Sequence, residues 1–139
     1  MATRMRAVRI DEYGDVGVLD VRDVDVPETA PDRGVVEVVA TSVNPGEAMI
    51  REGAMDPERT ATFPMGEGSD FAGRIVEVGA EVIDWAVGDE VIGWSGERSA
   101  HAQYVAVPAE QVTRRPEGVP WEQAGSLYVA GGTAVAMRD

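Results

Sequence analysis

The stretch at residues 66–93, GEGSDFAGRIVEVGAEVIDWAVGDEVIG, constrains this chain more than any other. Its glycines, Gly66, Gly68, Gly73, Gly79, Gly88 and Gly93, punctuate short runs in which apolar and polar residues alternate. A period of two between turn-forming glycines describes tight antiparallel strands and not a helix. Glycine at this density also suits the corners of a small barrel, where strands bend or backbones approach closely. Ser69 and Asp70 sit among these glycines, either as groups with chemistry or as side chains that hydrogen-bond the turn backbone.

The flanking sequence extends the same architecture. RMRAVRI at 4–10 reads as an opening half-buried strand, and DEYGDVG as a turn. In VLDVRDVDVP the apolar phase flips across Arg22 and Asp23, which predicts a β-bulge or break there. GVVEVVATSVNP, bounded by Gly34 and Pro45, is nearly continuous in β-branched residues and reads as the central strand, covered on both faces. Its end delivers Asn44 as an N-cap, with Pro45 at the first helical position, Glu47 three residues after the cap and Gly53 as the stop, so a helix of about two turns is expected. MDPERTATFP has no periodicity and reads as a mobile loop. EVIGW and HAQYVAVP are further strands, the second ended by Pro108. After Pro116 the pattern becomes helical, with Gly131 and Gly132 separating two pieces, the second cut off at Asp139. The expected fold is mainly β, in one domain over residues 1–118, with a truncated helical segment over 119–139.

Composition excludes several functions. The 139 residues include no cysteine, which removes disulfides, thiolate nucleophiles and thiolate metal sites and is consistent with a reducing, cytoplasmic setting. No apolar run approaches the roughly 20 residues that a membrane span needs. A net charge of −13 disfavours nucleic acid and anionic membranes, whose phosphates call for a basic stripe. All 12 basic residues are arginine, so no lysine is available for a Schiff base. Zinc needs about four N, S or O ligands. The single histidine, His101, reads as an edge or surface imidazole, and no metal site is expected.

Taken in order and spacing, MRAVRIDEYG, SVNP with IREG, GSDFAGRIVEVG, VGDEVIGW, AQYVAVPAE and VAGGTA resemble the N-terminal GroES-like catalytic domain of the medium-chain dehydrogenase/reductase superfamily. The resemblance is to its zinc-independent, NADPH:quinone oxidoreductase-like branch and covers nearly all of the chain. It implies a partly open GroES-like β-barrel with short peripheral helices, followed by a Rossmann NADPH-binding domain. Nothing in this chain reads as strand, G-x-G-x-x-G and helix, so residues 119–139 are expected to lead toward that second domain. Zinc-using relatives carry Cys at the position of Asn44 and Gly-His-Glu at Gly68, Ser69 and Asp70, so both ligand positions are lost here.

By the same resemblance Asn44 lies at the nicotinamide and substrate end of the cleft, as the catalytic residue whose amide polarises a substrate oxygen. Its rival role is helix capping, and the two are compatible. Glu47 falls where many relatives have Asp, and is either a substrate contact or a capping-box glutamate. Met49 and Met55 replace polar or aromatic residues of relatives and would give a soft apolar substrate wall, leaving water as the proton donor. Thr133 matches a position beside the cofactor. Arg51 reads as solvated or salt-bridged.

Two functions are compatible with these features. One is the substrate-side domain of a zinc-independent NADPH-dependent oxidoreductase that reduces a quinone or an α,β-unsaturated carbonyl by hydride transfer, the chain alone being inactive. The other is a stand-alone GroES-like binding or assembly module, with exposed edges covered by a partner or by homodimerisation.

Overall fold

The structure is a computed structural model that describes residues 3–138. Its strands are β1 (Arg4–Ile10), β2 (Asp20–Asp25), β3 (Arg33–Thr41), β4 (Met65–Gly66), β5 (Asp70–Val78), β6 (Glu90–Trp94), β7 (Tyr104–Pro108) and β8 (Val112–Arg114). The helices are α1 (Pro45–Arg51), α2 (Trp121–Ala124) and α3 (Leu127–Arg138). β2-β1-β4 form one sheet and β7-β3-β5-β6-β8 the other, with every pairing antiparallel. Residues 101–103 join the sheets: Ala7 pairs with Ala102, Val8 N–H donates to His101 O at 2.9 Å, and Gln103 N–H donates to Arg6 O at 3.1 Å. No ladder closes β8 onto β2 among the described residues, so the mainly β architecture is an open barrel. No helix of the described residues is long and apolar enough to cross a membrane.

The middle of the five-stranded sheet is β5, from the glycine-rich stretch, and not β3 as the β-branched run predicts. β3 is an interior strand, but it is buried continuously only at 34–36 and then alternates, leaving Val39 exposed. On β5, Phe71 and Ile75 enter the main core with Val36, Val91, Val105 and Val107. Ala72 points to the other face, where it packs with Ile92 and with Ala124 of α2. A strand covered on both faces must approach its neighbours closely, and Gly73 makes this possible. A Cβ there would lie 2.0 Å from the Glu37 carbonyl oxygen of β3, beside the register irregularity between Val38 and Ala40.

Two local expectations are corrected. The β1–β2 register runs unbroken from Arg4↔Asp25 to Arg9↔Asp20, without a bulge at Arg22. β2 is an edge strand in which Val21 is exposed, so no buried face enforces an apolar phase there, and Arg22 instead pairs with Asp11 and Asp20. α3 passes through Gly131 and Gly132 without a break. Glycine in a helix costs about 1 kcal/mol relative to alanine but does not forbid helical angles, and a buried anchor at the first turn compensates. The helical interruption falls at 125–126 instead, where Gly125 packs on the backbone of Ala40.

Gly73→Ala is expected to destabilise the fold by at least about 2 kcal/mol, because the added methyl meets backbone that cannot give way. Gly131→Ala, whose Cβ would meet nothing within 4 Å, should stabilise by about 0.5–1 kcal/mol. Urea unfolding of the two variants beside the parent checks both signs.

Candidate active site

The site begins where β3 ends. Asn44 is extended (φ −110°, ψ 146°) and opens α1, with Pro45 in the first turn, where a missing N–H costs nothing. Glu47 Oε2 accepts the Asn44 backbone N–H at 3.0 Å, while Glu47 N–H donates to the Asn44 carbonyl at 3.0 Å. The capping glutamate also reaches across to the glycine-rich stretch, where its Oε1 accepts the Ser69 N–H at 3.0 Å. Glu47 is 3% exposed, so its charge is used inside the protein. An acidic side chain in the first helical turn also suits the positive end of the helix dipole.

Asp70, the first residue of β5, is 0% exposed and ties three parts of the chain together. Its Oδ2 accepts from Ser42 Oγ at 3.0 Å and from Asn44 Nδ2 at 3.1 Å, and its Oδ1 accepts the Val129 N–H at 3.0 Å. Val129 lies in the first turn of α3, where backbone N–H groups lack intrahelical partners. Asp70 therefore caps α3 from a distance and fixes the Asn44 amide at the same time. A turn-bonding role does not describe this residue. The sequence offers Asp70 as a group with chemistry or a turn-bonding side chain, whereas a carboxylate followed directly by Phe71 and Ala72 on a buried strand has to find donors from further away.

These elements enclose an open cleft of about 610 Å³. Asn44, Pro45, Glu47 and Ile50 line one wall, Ser69, Trp94 and Arg98 the floor, and Val129, Thr133 and Met137 the other wall. The spacing 129, 133, 137 puts the last three on one face of α3. Asn44 and Thr133, expected at the cofactor and substrate end, are thus brought together. Met49 and Met55 do not line the cleft and are 50% and 66% exposed. Met49 is two residues on from Glu47, about 200° around the helix and so turned away. Met55 follows Gly53, where a positive φ of 83° redirects the chain.

Behind the cleft lies a second polar layer. His101 is half-buried, and its Nε2–H donates to the Ser42 carbonyl at 2.9 Å, which corrects the expected edge imidazole. Gly68, at φ +93°, makes room for that ring: a Cβ would sit 2.3 Å from His101 Cδ2. Arg51 is buried, with Nη1 3.9 Å from Glu67 Oε2 and an Nε that lacks a partner. Burial pushes the Glu67 carboxyl above its ordinary value, against the opposing pull of Arg51 and His101. The segment at 54–64 is irregular, as expected, but it is fastened. Asp56 accepts from Tyr13 Oη, Thr60 N–H and Ala61 N–H, which hold its carboxyl well below the usual range. No cluster of three or more metal-ligating carboxylate or imidazole side chains occurs among the described residues.

Residues 30–117 match the alcohol dehydrogenase GroES-like domain. The chain is 32% identical over 139 residues to an NADPH-dependent alkenal/one oxidoreductase, chloroplastic, of Arabidopsis thaliana, covering 94% of this chain and 36% of that protein. It is 34% identical over 126 residues to the quinone oxidoreductase of Mus musculus, covering 90% and 38%. The structure of the quinone oxidoreductase from Coxiella burnetii superposes with a TM-score of 0.88 at 31% identity, over 96% of this chain and 44% of that one. The chain therefore spans less than half the length of these relatives.

Asp70→Asn is expected to cost about 2–4 kcal/mol, since one of three buried donors then faces an N–H. Its signature in an HSQC spectrum is displacement of the amide resonances of the first turn of α3 together with the Asn44 side chain. Glu67 generates a pH dependence. A carboxyl whose folded pKa is raised binds more protons folded than unfolded, so its contribution to stability falls as pH rises from about 4.5 through the folded value. Glu67→Gln should flatten that limb of the stability–pH curve, measured by urea unfolding between pH 4 and 8 (roughly the range such carboxyls titrate over).

Proposed function

The chain belongs to the alcohol dehydrogenase GroES-like domain family, and from that premise we propose that it is the substrate-side domain of a zinc-independent, NADPH-dependent oxidoreductase acting on a quinone or an α,β-unsaturated carbonyl. The observation that carries this reading is Asn44, whose amide is oriented by buried carboxylates and opens on a cleft shared with Thr133. The zinc-independent part rests on donor chemistry: there is no cysteine, and the only imidazole donates through Nε2 to a backbone carbonyl. The absence of cysteine also supports a reducing, cytoplasmic setting.

The residues fit one end of the nucleotide. Every strand pairing described is antiparallel, so this chain has no βαβ phosphate cradle among its described residues, and residues 119–139 would carry it toward a domain that supplies one. What it offers is an amide and a hydroxyl, Asn44 and Thr133, suited to the nicotinamide edge. NADPH, when bound, supplies hydride to the electrophilic carbon.

Asn44 then acts on the oxygen that gains negative charge. One hydrogen of Nδ2 goes to Asp70 at 3.1 Å; the other approaches Glu47 only to 3.5 Å and is available to a substrate oxygen. A donor already held in place stabilises developing charge without reorganisation. Glu47, buried and fully engaged, positions Asn44 and Ser69. Ile50, Trp94, Val129 and Met137 give the cleft an apolar lining, and water delivers the proton, to the α-carbon of an enone or to the oxygen of a quinone.

A protein in which residues 1–139 are followed by the nucleotide-binding domain should oxidise NADPH in the presence of quinones or enones, and Asn44→Ala should lower kcat by about a hundredfold. The 139-residue chain alone should neither bind nor consume NADPH measurably. A complete protein that reduces no quinone or enone, or tight NADPH binding by residues 1–139 alone, overturns the proposal.

A further inference from the structure

We propose that Arg98 selects the substrate of this cleft by binding a carboxylate that the substrate carries, an inference that rests on the cleft being the substrate site. Arg98 shares that lining with Asn44, Ser69, Trp94 and Thr133. It is the one cation among the lining residues, and no hydrogen-bond or ion-pair partner of its guanidinium is found among the described residues. It lies within Coulombic reach of Glu67 and Tyr13 without pairing to either.

The backbone presents this residue at a cost. Arg98 has φ +54°, a left-handed conformation that strains a side chain with a Cβ and that glycine adopts freely. The turn is nonetheless held firmly: Arg98 N–H donates to Ser95 O at 3.0 Å, and Ser99 N–H to Ser95 Oγ at 3.0 Å, with Ser95 buried beneath. A strained arginine kept on a rigid turn, where glycine would relieve the strain, points to use of the guanidinium itself.

The surrounding charges define what it can hold. Glu47 lines the cleft and Asp70 lies beneath it, but each accepts hydrogen bonds from donors of the chain, and Glu67 faces Arg51. Arg98 is left as the cation exposed to a ligand. Its planar fork matches a carboxylate through two parallel N–H···O bonds. In a protein of net charge −13, an anionic substrate is repelled at long range and needs such a local counter-charge. The cleft then reads a substrate at two points: Asn44 takes the reacting carbonyl oxygen, Arg98 a carboxylate beyond it, and Trp94 and Ile50 the apolar body between. The substrate class is an oxo-enoic acid or an acid-substituted quinone.

The test uses the complete protein and two matched probes, trans-4-oxo-4-phenylbut-2-enoate and its methyl ester, with calorimetric affinities without nucleotide and steady-state KM values with it. The acid should bind about tenfold more tightly than the ester, the size of one charge-assisted contact at a half-exposed site. Arg98→Gln should abolish that preference, bringing the affinity for the acid down to that for the ester. Arg98→Gly should lose the same preference and resist urea at least as well as the parent, which separates recognition from folding. Equal affinity for the two probes, or a preference that survives both variants, overturns the assignment and leaves the proposed function standing. A raised KM for nucleotide with unchanged acid preference also overturns it, since the guanidinium would then serve the cofactor's phosphates. If neither probe binds, the cleft is not a substrate site, and this inference and the proposed function fall together.

Discussion

The carboxylate of Asp70 is sealed from solvent and satisfied by three donors, and the shape of the cleft follows from where those donors originate. Ser42 and Asn44 come from the end of β3, and Val129 from the start of α3. A buried carboxylate without partners would be severely penalised, whereas each hydrogen bond to it contributes about 1.5–3 kcal/mol. The carboxylate keeps all three donors only while both cleft walls are in place. It sits at the head of β5, the strand covered on both faces, so its position is fixed by the core rather than by the surface. Sheet packing, helix capping and the aim of the Asn44 amide thus converge on one side chain.

Much of the framework was legible in the sequence because it depends on local patterns. The alternation in RMRAVRI, the Asn44, Pro45 and Glu47 sequence that starts α1, and the glycine-rich stretch each state their structure within a few residues, and the order of motifs carried the family resemblance. What escaped was long-range. The donors to Asp70 lie 26, 28 and 59 residues away, separations that no local periodicity encodes. β8 is a three-residue strand, Val112–Arg114, too short to show alternation, and it exists because β6 offers an edge. Gly131 and Gly132 look like helix breakers in isolation but lie beyond a first turn already anchored by Asp70. Of the residues expected at the site, Asn44, Glu47 and Thr133 meet at the cleft, while Met49 and Met55 do not, because one faces away on α1 and the other lies past the turn at Gly53.

The polar layer beneath the cleft is organised by the same rule that governs buried charge elsewhere. Glu47 is satisfied by hydrogen bonds, Arg51 and Glu67 face each other at 3.9 Å, and His101 donates a hydrogen bond to a carbonyl. The layer beneath the cleft is therefore largely paired within itself despite its density of ionisable groups.

α3 presents Val129, Thr133 and Met137 to the cleft and buries none of its own residues in the core. Its first turn is tied to the sheet by Leu127, packed against Ala72 and Ile92, and by the Val129 backbone N–H, a donor that every residue but proline possesses. The identities of its cleft-facing side chains are consequently independent of what keeps the barrel folded. The shape of the cleft can therefore drift by exchange of residues along one helical stripe while the stability of the barrel is held elsewhere, without intermediates that fail to fold.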